Sequence, residues 1–183
     1  LFIQEVLRYL VEEGLVRQEA GGRWYRTDEQ SFAMIIPEGL RDVIGKRLTR
    51  LSDKCNSLLG IAAVIGRDFR LDVLQRLTDV SEDDLFTVLE EATSVGVVEE
   101  RAVGAVVSYR FTHAFFRQTL YEETIAPRRI RLHQQVGAAL EDVYSARPEE
   151  HAAEMAEHFA HSSDEAGLAK ALRYGEMAAE RAM

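Results

Sequence analysis

Apolar residues recur along this chain mostly at helical spacing, and the breaks in that rhythm divide it into elements. Phe2, Val6, Tyr9 and Leu10 share one side of residues 1–14, with Leu7 and Val11 adjoining, which predicts a half-buried helix ending at Gly14. Residues 15–18 and 23–27 are short extended runs around Gly21-Gly22, the pattern of a hairpin. Ile36-Pro37-Glu38-Gly39 opens the next helix, where the missing N–H of proline costs nothing, and Leu40, Val43, Ile44 and Leu48 form its buried stripe. Ser52 is placed to cap a third helix. Its Leu58, Leu59, Ile61, Ala62, Val64 and Ile65 leave almost no polar face, so it is expected at the centre of the core. Arg67-Asp68-Phe69 breaks the pattern, and Leu71, Val73, Leu74 and Leu77 predict a short helix after it. Ser81, with Asp84 three residues on, starts another. Its buried face is Leu85, Val88, Leu89 and Ala92, and Gly96 stops it.

The period then changes. Val97 and Val98 open an extended run, Val103-Gly104-Ala105 supplies a turn, and Val106, Val107, Tyr109 and Phe111 form a second strand. Thr112 is the expected cap of a helix that carries Phe115, Phe116 and Leu120 and runs to about residue 125. Three helical patterns followed by a small hairpin predict a winged-helix-like unit. Pro127 starts the next helix, with Leu132, Val136, Ala139, Leu140 and Val143 on its apolar face. Ala152, Ala153, Ala156, Phe159 and Ala160 predict a further helix, and Ala169, Leu172, Ala178, Ala179 and Ala182 the last. Small residues at these spacings, with Tyr174 nearby, suit stacked helical hairpins of the tetratricopeptide kind. The expected fold class is mainly α, a winged-helix domain with a small β-hairpin wing beside helical hairpins.

Charge narrows the function. The 183 residues hold 31 acids against 22 bases, a net charge of −9, so most of the surface repels nucleic acid. The helix after Ser81 stands where a helix-turn-helix protein keeps its recognition helix. It offers Glu82, Asp83, Asp84, Glu90 and Glu91, then Glu99 and Glu100 follow it, with no base between Ser81 and Glu100. A major-groove reader needs Arg, Lys, Asn or Gln there, so direct nucleic-acid binding is not expected and the unit reads as a protein-packing module. The alternative, a DNA-binding winged-helix transcriptional regulator, would have to use Arg41, Lys46, Arg128 and Arg129. Arg41, Lys46, Arg47 and Arg50 form one basic face, either solvated or a binding patch. Arg128, Arg129, Arg131 and His133 form a second, open to an acidic neighbour or a phosphate. The single Cys55 excludes an internal disulfide and is expected as a small core residue. No apolar run approaches the roughly 20 residues of a membrane span, and no signal-peptide pattern occurs, so no membrane partner is expected and the location is expected to be cytoplasmic. The chain opens and closes inside helical patterns without a cap or stop, which leads us to expect a piece of a longer polypeptide.

No constellation supports an enzyme in this chain, and no catalytic residue is assigned. No G-x-x-x-x-G-K-[ST] loop is present to cradle a triphosphate. His151, His158 and His161 lie close together, but no Cys or carboxylate completes a known metal pattern, so no metal is expected. His113, at the exit of the hairpin, is the best functional candidate.

Five stretches occur in a familiar order: LFIQEVLRYLVEEG, IPEGLRDVIGKRLTRLS, LLGIAAVIGRDF, YRFTHAFFRQTLYEE and RLHQQVGAALE. Together they resemble the back half of the nucleotide-binding module of bacterial STAND-type signal-transduction ATPases. Those large regulators join a P-loop core (AAA or NB-ARC-like) to a helical lid, a winged helix and a helical-repeat sensor, often with cyclase or LuxR-type output domains. The resemblance implies that residues 1–35 end the lid, residues 36–125 form the winged helix and residues 126–183 begin the tetratricopeptide-like sensor. It implies a regulatory role that couples nucleotide state to the sensor and output domains. The partners would be an upstream ATPase core and those domains. ADP or ATP would be held in the parent protein, with no cofactor in this part alone. Related ATPases carry Met-His-Asp at the end of the wing, whose His touches the β-phosphate of ADP. Phe111-Thr112-His113-Ala114 resembles that motif, with His113 at the His and Ala114 where the Asp would stand. His113 is therefore either a nucleotide-phosphate sensor beside a helix N-terminus or a cap-side histidine satisfied within the fold. Arg117, one turn on, either supports the phosphate or pairs with Glu122; the pair is the preferred expectation.

Overall fold

Two compact units, Leu1–Arg47 and Leu48–Met183, make up the chain in the computed structural model. The structure describes residues 16–18, 24–26, 44–103 and 106–182. In the first unit, β1 (Val16–Gln18) and β2 (Trp24–Arg26) pair antiparallel, with Val16 opposite Arg26 and Gln18 opposite Trp24. This is the hairpin that the Gly21-Gly22 pattern predicts. The helix expected over residues 1–14 and the start of the one expected from Ile36 lie outside the described residues, as do Gly104 and Ala105; residues 44–48 are helical.

The second unit is built around α1 (Asp53–Ile65). Ser52 caps it as expected, its Oγ accepting from Cys55 N at 3.1 Å. The same serine donates from its N and Oγ to the carboxylate of Glu91, at 2.6 and 2.8 Å. Cys55, Leu58, Leu59 and every residue from Ala62 to Ile65 are buried. The apolar C-terminal half of this helix cannot face water without cost, and α3, α4 and α5 all pack on α1.

After α1 the chain forms β3 (Asp68–Arg70), α2 (Leu71–Arg76), α3 (Glu82–Ser94), β4 (Val98–Val103) and β5 (Val106–Phe111). The sheet is antiparallel in the order β3-β5-β4, so β5 lies between the other two. Phe69 stands opposite Tyr109, and Phe69, Tyr109, Phe111 and Val98 are buried. The ring of Phe69 lies 5.9 Å from Tyr109 and 5.5 Å from Phe111. Residues 67–69 read in the sequence only as a break; three residues are too few to show a period of two, and β3 exists because β5 offers it a partner. Gly96, at φ 74°, ends α3. Its N–H reaches Thr93 O at 2.9 Å and that of Val97 reaches Ala92 O at 3.0 Å, the double closure that requires a left-handed residue.

The C-terminal half is helical: α4 (Ala114–Glu123), α5 (Ala126–Val143), a 3₁₀ turn (Pro148–Glu150), α6 (Ala152–Ala160) and α7 (Glu165–Ala182). The fold is thus mainly α with a small three-stranded antiparallel sheet. The consecutive helices α6 and α7 pack on each other as a hairpin, and α6 packs on α5. Phe159 lies over Gly137, where a Cβ would come within 2.8 Å of its ring. From α7, Lys170 Nζ and Tyr174 OH both donate to the Glu141 carboxylate, at 2.6 and 2.8 Å. The expected apolar face of α7 is corrected: Ala169, Leu172, Ala179 and Ala182 are exposed, and Ala178 is partly covered. Gly167 and Tyr174 are its buried residues, while Leu172 is 71% exposed, because the contact with α5 and α6 lies on the other side. Among the described residues no helix is long and apolar enough to cross a membrane.

Two glycine substitutions test this packing. Gly137→Ala is expected to lower the unfolding free energy by about 1–3 kcal/mol, because its methyl must displace the Phe159 ring. Gly175→Ala, in α7 with nothing within 4 Å of the added Cβ, is expected to raise it by about 0.5–1 kcal/mol. Urea denaturation of both variants checks the contrast.

Candidate functional site

His113 sits where β5 hands the chain to α4. It is the N-cap itself, with extended backbone at φ −139° and ψ 143°, and its Nδ1 accepts from Phe115 N at 3.4 Å. The expected cap, Thr112, does another job: its Oγ1 donates to Gly96 O at 2.8 Å and its N to Val97 O at 3.1 Å, which ties the end of the hairpin to the end of α3. The cap moves one residue because Thr112 Oγ1 is already committed to a backbone carbonyl. His113 is half-buried, and burial, then the nearby Arg67, hold its pKa below the usual histidine value. With Nδ1 accepting, the proton of the neutral ring is on Nε2.

Arg67 is the residue that sequence reasoning passed over. It stands in the break after α1, exposed, and its carbonyl accepts from Phe111 N at 3.0 Å. That one backbone bond brings a guanidinium to the chain two residues ahead of His113. An imidazole N–H, a guanidinium and the N-terminus of a ten-residue helix thus share one corner, an arrangement whose potential favours an anion. The signal in the sequence was a lone arginine after a helix-ending glycine, and only the pairing of residue 67 with residue 111 gives it meaning.

Arg117 points elsewhere. Its Nε donates to Ala63 O at 2.9 Å, near the end of α1. The preferred pairing with Glu122 is not what forms: Glu122 accepts from Gln118 Nε2 at 2.9 Å. A helix leaves its last carbonyls without partners inside itself, and a buried carbonyl near that end outcompetes a carboxylate that water already solvates.

A second constellation lies between α4, α5 and α6. His133 Nδ1 is 3.0 Å from His158 Nδ1, and Tyr121 OH is 3.0 Å from His133 Nε2. The His161 ring stacks on His133 at 3.9 Å between centroids, 20° from parallel. Both His133 and His158 are only 4% exposed. His133 therefore does not belong to a basic face with its neighbours; it faces inward, while Arg128 and Arg131 are exposed and Arg129 Nη1 donates to Tyr121 O at 3.1 Å. Residue 133 falls on the same side of α5 as Leu132, Val136 and Leu140, and that side is covered. Burial first, then the neighbouring His161, His158, Arg117 and Arg129, push His133 down to about 3. Burial pushes His158 down to about 4, against the nearby Ile65 backbone, which favours its charged form. His151 is separate from the other histidines, stacked on Tyr144 at 3.4 Å with Glu154 at 3.6 Å. Among the described residues no group of three His, Cys, Asp or Glu is placed to hold a metal ion.

Cys55 is buried, its Sγ 3.5 Å from Val88 O, and burial followed by Glu91 pushes its thiol up to about 12. A thiol so held is not a nucleophile near neutral pH. The acidic residues of α3 face outward: Glu82, Asp83, Asp84 and Glu90 are exposed, with Lys54 paired to Asp84 at 3.0 Å.

Set against protein-family models, curated proteins and solved structures, the chain matches none of them.

Arg117→Ala separates a structural arginine from a ligand-binding one. It is expected to lower the unfolding free energy by about 1–2 kcal/mol, because the Ala63 carbonyl loses its partner. Removing a cation that depresses both His133 and His158 is also expected to raise their pKa values in an NMR titration.

Proposed function

We propose that this chain is a regulatory module of the STAND-ATPase type, in which a winged helix and the helical hairpins after it carry the nucleotide state of a P-loop core to sensor and output domains. The reading rests on the sequence resemblance and on one feature of the fold. His113, the position similar to the His of Met-His-Asp, caps α4 at the exit of the β4–β5 hairpin with Arg67 brought beside it. Supporting it, the chain runs α1-β3-α2-α3-β4-β5 with β5 between β3 and β4, an order that suits a winged helix with β4 and β5 as the wing. The α5–α7 region suits the first units of a tetratricopeptide-like array, with Gly137 and Phe159 at a close helix contact. ADP or ATP would be bound by the joined protein in the cytoplasm, the core supplying the phosphate loop and His113 a contact that holds the inactive state. Ala114, standing in place of the Asp, makes the latch a single imidazole, which Arg67 is placed to supplement. The chain on its own is a transmitter and not an enzyme.

The outward side of α3 supports a protein-packing role over duplex binding. Its exposed carboxylates would meet phosphate at a cost of about 1 kcal/mol per close contact.

In a polypeptide that joins this module to its P-loop core, His113→Ala is expected to weaken ADP retention roughly tenfold or more, the weight of one hydrogen bond to a charged group. Nucleotide released from the denatured protein measures it, and unchanged ADP content counts against the reading. A gel-shift of the present chain with duplex DNA at low salt is expected to show no complex; a salt-sensitive complex would favour the DNA-binding alternative.

A further inference from the structure

We propose that His133 and His158 form a proton-operated latch between α5 and α6, which holds the α6–α7 hairpin on the body made by α1 to α5 at neutral pH and releases it on acidification. Two buried imidazoles joined ring to ring are a poor choice for permanent glue, because an apolar pair of the same size would do it without a titratable group. What the pair adds is dependence on protons.

The two rings face each other through Nδ1 at 3.0 Å, so one of these nitrogens carries the hydrogen and the other offers its lone pair. His133 Nε2 also meets Tyr121 OH, a group able to donate or accept, at 3.0 Å. The relay runs from Tyr121 on α4 through His133 on α5 to His158 on α6, and it is satisfied with both rings neutral.

Neither ring accepts a proton without loss. A proton added to the ring that donates places a buried cation close to Arg117 and His161. A proton added to whichever Nδ1 accepts sets two N–H groups against each other across 3.0 Å and breaks the link between the helices. The surroundings offer no compensating acid. From α4 come Tyr121 and Arg117, from α5 Arg129, and from the end of α6 His161, whose ring also acts on His158. The carboxylates nearest in the chain are engaged or in water: Glu122 with Gln118, Glu154 with His151, Asp164 with Gln134, Ser162 and Gly167, and Glu157 exposed. From α7, Lys170 and Tyr174 turn to Glu141. Outside the pair, the seam is held by Phe159 over Gly137, by Glu141, which accepts from Lys170 and Tyr174, and by Gln134, which donates to Ser162 Oγ and Asp164 Oδ2.

The sign follows from proton counts. Once released, the two rings meet water and titrate at about 6.5, so below that pH the released state binds more protons than the docked one. Docking is complete above about pH 6.5 and weakens as pH falls. Between about pH 7.5 and about pH 5 the opening constant rises roughly 30-fold for one histidine and roughly a thousandfold for both.

Hydrogen exchange of the whole chain, read by mass spectrometry at about pH 7.5 and about pH 5 and corrected for intrinsic exchange, tests this. Amides of α6 and α7 are expected to lose roughly a thousandfold in protection while those of α1 and α3 keep theirs. Unchanged protection in α6 and α7, or equal loss throughout, would overturn the latch. His158→Phe is expected to cut the pH effect to roughly 30-fold or less; a retained thousandfold effect is contrary to the proposal. Imidazole NMR of the unaltered chain needs no variant to fold. The two rings are expected to stay neutral for as long as the α6 amides remain protected, and rings that titrate near 6.5 with α6 still protected would rule the latch out.

Discussion

The carbonyl end of α1 is the point to which the rest of the second unit is tied. The apolar second half of α1 can be buried, but its last carbonyls cannot be left there unpaired. Each partner comes from a different part of the chain. Gly66 N closes on Ala62 O at 3.2 Å, and Arg117 Nε reaches Ala63 O from α4. Two residues past the helix, the Arg67 carbonyl accepts from Phe111 N of β5. One helix terminus thereby fixes the sheet and α4, and places His113 and Arg67 together as a by-product.

At the other end of α1 the same logic runs with opposite sign. The N-terminus needs acceptors, and Ser52 supplies one to Cys55 N. Glu91 then holds Ser52 from α3, with negative charge at the positive end of a helix. This bond, together with Val88 O beside Cys55, explains why α3 turns Leu85, Val88, Leu89 and Ala92 inward and leaves its other carboxylates in water. The acidic outer face of α3 follows from the direction in which its apolar stripe must point.

Between α5 and α6 the packing is close enough for a ring to rest on a glycine, and there polar atoms replace hydrocarbon over a short stretch. Tyr121, His133 and His158 satisfy one another there only while uncharged. The anion-friendly corner at His113 and the neutral relay at His133 are two uses of the same residue type, set apart by what surrounds each ring. A half-buried imidazole at a helix N-terminus can turn to a ligand, whereas one walled in by three helices can answer only to a proton.

Much of this protein was legible in its sequence. The apolar run of α1, the caps Ser52 and Ser81, the stop at Gly96, the strand pair after Val97 and the helices after Pro127 all follow from local periodicity and cap chemistry, which act within a few residues. The thiol of Cys55 was readable as core for the same reason. Strand β3, the shift of the cap from Thr112 to His113, the turning of Arg117 to Ala63, the exposure of Leu172 and the burial of His133 were not. Each is decided by a partner more than a dozen residues away or by which side of a helix a neighbour covers. A sequence states what every side chain and backbone group needs; which distant group meets that need is settled only when the chain has closed on itself, because buried polar groups compete for partners across the whole fold.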